Sequence, residues 1–227
     1  VCNNCELIYL SPRPSKSSLK ECYPDTYYTS KKSDKFNLSK KLFERRYLNR
    51  LNRFSKATNK QPKSLFEVGY GDGSFLTFLK SKWENNCDLS GIDFKLPKMS
   101  HHLDGINLFE GDFSTIKLNQ TFDVIVMYQV LEHLQDPLTI CKELHSMLKE
   151  DGILVIEVPN WDSLWRKVFS QHWSGLQIPR HQILFSPKTL QQLLDKAGFK
   201  TKDFNLVFDP GDLSVSLCNY LADKLKL

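Results

Sequence analysis

Between residues 64 and 208, short apolar runs alternate with segments whose apolar positions recur every three to four residues. The strand candidates are 64–69, 88–94, 106–110, 122–128, 152–158 and 203–208. Short β-rich runs separated by helical patterns predict an α/β fold, with a mostly parallel sheet covered by helices on both faces. Two helices carry start signals. Asp136 before Pro137 reads as an N-cap and first turn leading into Ile140, Leu144, Met147 and Leu148. Ser186 before Pro187 does the same for Leu190, Leu193, Leu194 and Ala197, with Gly198 as the stop. Residues 211–226 read as a last helix.

Ahead of Pro62 the pattern differs. Phe43, Tyr47, Leu51 and Phe54 recur at i, i+4, i+8 and i+11, with Leu48 beside them. They form one stripe of an amphipathic helix within 34–60, with Lys40, Lys41, Arg45, Arg46 and Arg53 largely on its other faces. Residues 1–33 read as irregular: Cys2 and Cys5, a Pro12-Arg13-Pro14 turn, and aromatics at Tyr23, Tyr27 and Tyr28. Residues 61–227 then form the main domain.

Composition narrows the class. A chain of 227 residues, 41% hydrophobic and 25% charged, is one large domain or one domain with a small appendage, and is neither disordered nor fibrous. No run approaches the roughly 18 apolar residues of a membrane span, so no membrane partner is expected. Six cysteines scattered over such a length argue for a reducing, cytoplasmic compartment. The net charge of +5 is unevenly placed: residues 1–60 carry +9 and the remainder −4. That basic stretch reads either as a solvated helix face or as a contact for nucleic acid or phosphorylated substrates. Oligomeric state is not encoded in any of these features.

The sharpest chemical signal is Phe66-Glu67-Val68-Gly69-Tyr70-Gly71-Asp72-Gly73-Ser74-Phe75. An apolar strand ends in an acid, a G-x-G-x-G loop follows, and an amphipathic helix begins with Phe75, Leu76, Phe78 and Leu79. Glycines there permit positive φ and let the backbone lie against a ligand. Ser74 stands where a dinucleotide fingerprint needs a third glycine, and the P-loop Gly-Lys-Ser/Thr is absent. Asp93 closes the second strand and can accept from ribose hydroxyls; Asp112 closes the third and can accept from an exocyclic adenine amine. One such acid is more often a helix cap, but three in register beside a glycine loop describe an adenosine pocket at the sheet's C-terminal edge. The segment 159–185, with Trp161, Trp165, Trp173, Phe169, His172, Arg180, His181 and Phe185, reads as a substrate site or lid, or as a packed aromatic cap.

These motifs resemble class I S-adenosylmethionine-dependent methyltransferases, the small-molecule branch of the Methyltransf_23/Methyltransf_11 kind. The similarity continues through Phe122-Asp123-Val124-Ile125-Val126-Met127-Tyr128-Gln129-Val130-Leu131-Glu132-His133-Leu134 and Asp136-Pro137. It extends through Leu148 to Gly152, Pro159-Asn160, Trp173-Ser174-Gly175 and Pro179-Arg180-His181 to Ala197-Gly198-Phe199, about residues 60–200 in all. The resemblance implies a Rossmann-like doubly wound sheet of strand order 3-2-1-4-5, with a sixth strand near 203–208 at the edge. A seventh strand, which closes the family's antiparallel hairpin, is not found in the sequence.

It also implies S-adenosyl-L-methionine as cofactor, S-adenosyl-L-homocysteine as product, and a small-molecule methyl acceptor whose reacting atom (O, N or C) the sequence leaves open. Gly69 and Gly71 would pack against the methionine portion, with Glu67 anchoring the loop and its ammonium side. Asp93 would hold the ribose, Asp112 with Phe113 the adenine, and Tyr128 and Gln129 would sit beside the sulfonium, with Phe94 also contacting the cofactor. Tyr70 replaces the small residue or cysteine usual in the loop. His133 and His181 are the candidate catalytic bases. Related quinone-pathway O-methyltransferases use a Glu…Glu-His metal site; Gln129 occupies its first position here, so no metal is expected. Cys2-Asn-Asn-Cys5 through Pro14 resembles the second half of a zinc ribbon, which implies a natural start upstream of Val1. A non-catalytic module with a methyltransferase fold is the second reading. Nucleic-acid methylation ranks last, because the Asn/Asp-Pro-Pro-Tyr/Phe motif is missing.

Overall fold

The computed structural model describes residues 1–23, 37–58, 60–84, 86–96, 103–116 and 118–225. Tyr27, Tyr28 and the Lys40 side chain lie outside the described residues. The chain divides into two compact units: residues 23–128 with 142–157, and residues 1–22 with 129–141 and 158–227.

In chain order the elements are β1 (Ile8–Tyr9), α1 (Lys16–Glu21), α2 (Asn37–Thr58), β2 (Ser64–Val68), α3 (Ser74–Trp83), β3 (Asp88–Asp93), β4 (Asn107–Glu110) and β5 (Phe122–Tyr128). There follow α4 (Pro137–Ser146), β6 (Leu148–Glu157), α5 (Leu164–Phe169), β7 (Ile183–Leu184), α6 (Pro187–Lys196) and α7 (Pro210–Leu225). The first unit is built on a sheet of order β4-β3-β2-β5-β6, with every neighbouring pair parallel. That is the order 3-2-1-4-5, with the glycine loop following the central strand. All five residues of β2 are buried, as expected of a strand covered on both faces. On one face Leu65, Val124 and Val126 meet Phe75, Leu76, Leu79 and Trp83 of α3 and Phe54 of α2, with Tyr47 and Leu51 packed alongside. On the strand's opposite side Phe66 stacks on Phe122, ring centroids 4.9 Å apart.

Residues Asn37–Thr58 form one helix, but Phe43, a member of the stripe, and Leu48 beside it are exposed. Its Arg46 and Arg50 both reach Glu157, the last residue of β6, at 2.9 and 2.8 Å. This pair of contacts ties α2 to the sheet and holds the Glu157 carboxyl down to about 2, against the cost of burial. Strand β6 begins at Leu148 rather than 152, because Leu148 pairs with Phe122 across an irregularity in the β5–β6 register.

The second unit carries the N-terminal segment. Its residues are more ordered than their composition suggests: Ile8 and Tyr9 pair antiparallel with Leu184 and Ile183, and Arg13 donates to the Gln135 carbonyl at 2.8 Å. Asp136 caps α4 by accepting from Thr139 N–H and Oγ1–H, and Ser186 and Thr189 close a capping box on α6. The expected sixth strand at 203–208 is not formed. Phe204, Leu206, Val207 and Phe208 are exposed, and these residues have no ladder partner among the described residues, so their β-prone composition finds no sheet to join. Among the described residues no helix is long and apolar enough to cross a membrane.

Two stability outcomes are expected. Glu157→Gln should cost about 3 kcal/mol near neutral pH, since it leaves Arg50 buried beside a neutral amide. Because the folded carboxyl titrates near 2 and an unfolded one near 4.5, that deficit should be complete above pH 4.5 and vanish on acidification toward 2. Urea melts of both proteins across this range measure it. Gly91→Ala should lose about 1–3 kcal/mol in the same assay, because a Cβ there meets Tyr70 Cδ1 at 2.8 Å, Leu76 at 3.0 Å and the Glu67 carbonyl at 3.2 Å.

Candidate active site

The loop after β2 turns through three glycines in the left-handed region, at φ 76, 59 and 73° for Gly69, Gly71 and Gly73. It is clasped from β3: Gly71 N–H donates to Asp93 Oδ2 at 2.8 Å, while Phe94 N–H donates to Asp93 Oδ1 at 2.7 Å. Each carboxylate oxygen keeps further lone-pair capacity, so Asp93 can hold the loop and still accept from a ligand. Among the described residues, no atom beyond its chain neighbours lies within 4 Å of where a Cβ on Gly71 would stand. The open space there fits a ligand lying against bare backbone.

Glu67 ends on the same patch, 3% exposed, with Oε2 making no hydrogen bond among the described residues. Burial raises its carboxyl to about 8, with Asp93 and Asp72 adding to the rise and the Arg50 charge opposing it. Arg50 is the residue that sequence reasoning missed. It is 8% exposed, its guanidinium lies 3.7 Å over the Tyr128 ring, and its Nε–H has no partner among the described residues. The signal was its place at i+3 from Tyr47 and i−4 from Phe54, inside the apolar stripe rather than off it. A buried acid and a buried guanidinium with spare hydrogen-bonding capacity suit the two ends of a zwitterionic amino acid.

The other expected contacts divide. Tyr128 is buried at the end of β5, edge-on to Phe75. Phe94 is exposed beside Asp93. The Tyr70 ring lies in the core over Gly91, so its bulk turns inward and only its backbone continues the loop. Asp112 Oδ1 accepts from the Ser114 N–H and hydroxyl, which is the cap reading of this acid. Phe113 is buried, its ring 6.1 Å from that of Phe66.

The second unit brings His133 and His181 together, ring centroids 4.6 Å apart. Gln129 precedes them at φ 58°. His181 Nδ1 lies 2.7 Å from the Gly175 carbonyl, and His133 Nδ1 lies 3.0 Å from that of Arg180. A carbonyl only accepts, so each Nδ1 carries the hydrogen and each lone pair sits on Nε2. Burial lowers both imidazoles, His181 to about 4. In the aromatic-rich segment Trp173 Nε1–H donates to Asp212 at 3.3 Å, Ser174 Oγ–H donates to the same carboxylate, and Arg166 stacks 3.9 Å over Trp161.

Comparison with known proteins agrees with this architecture. The chain is 27% identical over 156 residues to a Mycolicibacterium smegmatis protein named "Probable S-adenosylmethionine-dependent methyltransferase", covering 67% of this chain and 58% of that one. It is 31% identical over 143 residues to a tRNA U34 carboxymethyltransferase of Campylobacter fetus, covering 63% and 45%. It thus spans about half the length of these relatives. Among solved structures, a SAM-dependent methyltransferase from Thermotoga maritima superposes with a TM-score of 0.50 at 21% identity, covering 70% of this chain and 81% of that one. An O-methyltransferase family protein from Burkholderia thailandensis gives 0.52 at 13%, covering 72% and 55%; both likenesses speak to the fold alone. Residues 39–202 match the Methyltransf_23 family, described as "Methyltransferase domain", and the chain belongs to that family.

Proposed function

We propose that the chain carries the catalytic domain of an S-adenosylmethionine-dependent methyltransferase that acts on a small molecule. One observation carries this reading: Glu67, buried with a carboxylate oxygen that has no partner among the described residues, stands on the patch where Asp93 clasps the Gly71 backbone. The residues present fit the cofactor. Glu67 would take its ammonium, Arg50 its carboxylate, the Gly69–Gly71 backbone its methionine chain, and Asp93 its ribose hydroxyls. Tyr128 and Gln129 would stand by the sulfur, and Asp112 with Phe94 and Phe113 would take the adenine end. Bound there, the cofactor supplies a methyl already activated on a sulfonium.

The protein's work is then to hold an acceptor in line and keep water out. Where that acceptor loses a proton, Nε2 of His133 or of His181 would be the atom to receive it. The Mycolicibacterium relative supports the methyl-transfer reading, as does a bovine histamine N-methyltransferase, 26% identical over 112 residues, for the small acceptor. Six free cysteines support a reducing, cytoplasmic setting. The Campylobacter relative and the basic α2 favour RNA as the alternative acceptor.

Calorimetry with S-adenosylhomocysteine tests the reading. Wild-type protein should bind, and Asp93→Ala should weaken binding roughly 10- to 100-fold, the loss of one charge-assisted hydrogen bond. No binding by the wild type overturns it. An ammonium at Glu67 would draw its carboxyl down from about 8, so binding near pH 7 should release up to one proton and tighten as pH rises toward 8. Titrations in buffers of different ionisation enthalpy read that proton, which Glu67→Gln should abolish.

A further inference from the structure

The second unit holds a side-chain cluster that methyl transfer from a sulfonium does not require. Glu132 and His133 lie on the short 3-10 turn Leu131–His133, and His181 approaches from the segment before β7. One ring nitrogen from each histidine and one carboxylate oxygen all lie within 4.8 Å of one another. His181 Nε2 stands 3.9 Å from Glu132 Oε1. We propose that Glu132, His133 and His181 form a binding site for a divalent first-row transition ion of the zinc class.

The chemistry of the set favours that class. Two imidazoles and one carboxylate suit a borderline ion, whereas magnesium and calcium prefer oxygen alone. Three protein ligands leave a coordination position for water or for an oxygen or nitrogen of a bound molecule. Around a tetrahedral ion with ligands near 2.1 Å, donor atoms stand roughly 3.3 Å apart. The His181 Nε2–Glu132 Oε1 separation of 3.9 Å is close to that spacing.

The surroundings are those of a ligand set. Both imidazoles point Nδ1 at a backbone carbonyl, Gly175 for His181 and Arg180 for His133, which fixes tautomer and ring plane and presents Nε2. The Gln129 carbonyl also faces the His133 ring, a further oxygen beside the set. The two ligand-bearing segments are bolted together by hydrogen bonds: Gln182 N–H donates to the Glu132 carbonyl at 2.9 Å, and Gln182 Nε2–H donates to the His133 carbonyl at 2.7 Å. Glu132 is 1% exposed and His181 3%, while His133 is half-buried and leaves a way in for an ion. Glu132 and His133 stand at the last two positions of the Glu…Glu-His set of the quinone-pathway enzymes; with Gln129 at the first, His181, distant in sequence, supplies the third donor. Ligation uses the same Nε2 lone pairs as proton acceptance, so an ion bound here removes both imidazoles from the role of free base.

The test uses the whole chain carrying Cys2→Ser and Cys5→Ser, so that thiols do not compete. After dialysis against a chelator, zinc and cobalt(II) are titrated in turn. One equivalent should bind, cobalt should give a visible ligand-field spectrum without a thiolate charge-transfer band, and His133→Ala should weaken binding at least tenfold. Because substitutions at buried Glu132 or His181 can unfold the protein, histidine ring NMR of the unmutated set provides the second reading. Zinc should shift, and cobalt broaden, two of the six histidines, assigned as His133 and His181. Failure to bind one equivalent overturns the proposal, as does an effect confined to the other four histidines. S-adenosylhomocysteine titrations on the same sample report separately on the cofactor pocket.

Discussion

A buried carboxylate at the end of a strand organises the sheet-bearing unit. Glu157 takes two guanidinium groups from successive turns of α2, and through them the helix is fixed to the edge of the sheet. A charge pair this enclosed contributes less through its own energy than through the alternatives it forbids, since any shift of α2 would leave Arg50 buried with no counter-charge. With the helix fixed, Tyr47, Leu51 and Phe54 must meet the core, and the Arg50 guanidinium must lie on Tyr128. The same contact therefore sets both the packing of the first layer and the charge facing Glu67.

The proposed cofactor patch withholds partners from its buried polar groups. Asp93 closes the glycine loop from below, yet Glu67 Oε2 and Arg50 Nε–H are kept from water without a hydrogen bond among the described residues. Such groups are costly in a folded protein and persist where a ligand completes them. On the reading proposed above, the pairing of a raised acid with an anchored guanidinium would favour zwitterionic ends without any moving part.

Much of this was legible in the residues because it depends on short-range rules. The central strand, the glycine turn and the caps at Asp136 and Ser186 each follow from residue types within a few positions. What failed were the inferences needing a partner far along the chain. Residues 203–208 have the composition of a strand but nothing to pair with among the described residues, whereas Ile8 and Tyr9, too short to notice, find Leu184 and Ile183. Arg50 was hidden because a charge inside an apolar stripe makes sense only once Glu157 is brought beside it. The local settings of Tyr70 and Asp112 also depend on contacts that the motif does not encode. The packing gives the Tyr70 ring to the core over Gly91 and the Asp112 carboxylate a local turn to cap.

The pairing of β1 with β7 joins the first ten residues to positions some 175 further on. Parallel strands of the main sheet close over loops of tens of residues, but this ladder must wait for most of the chain. At typical synthesis rates the wait is roughly 10–35 s, during which Ile8 and Tyr9 are an unpaired edge beside the Cys2 and Cys5 thiols. Ile8 and Tyr9 are thus made well before their partners and are among the last residues to pair.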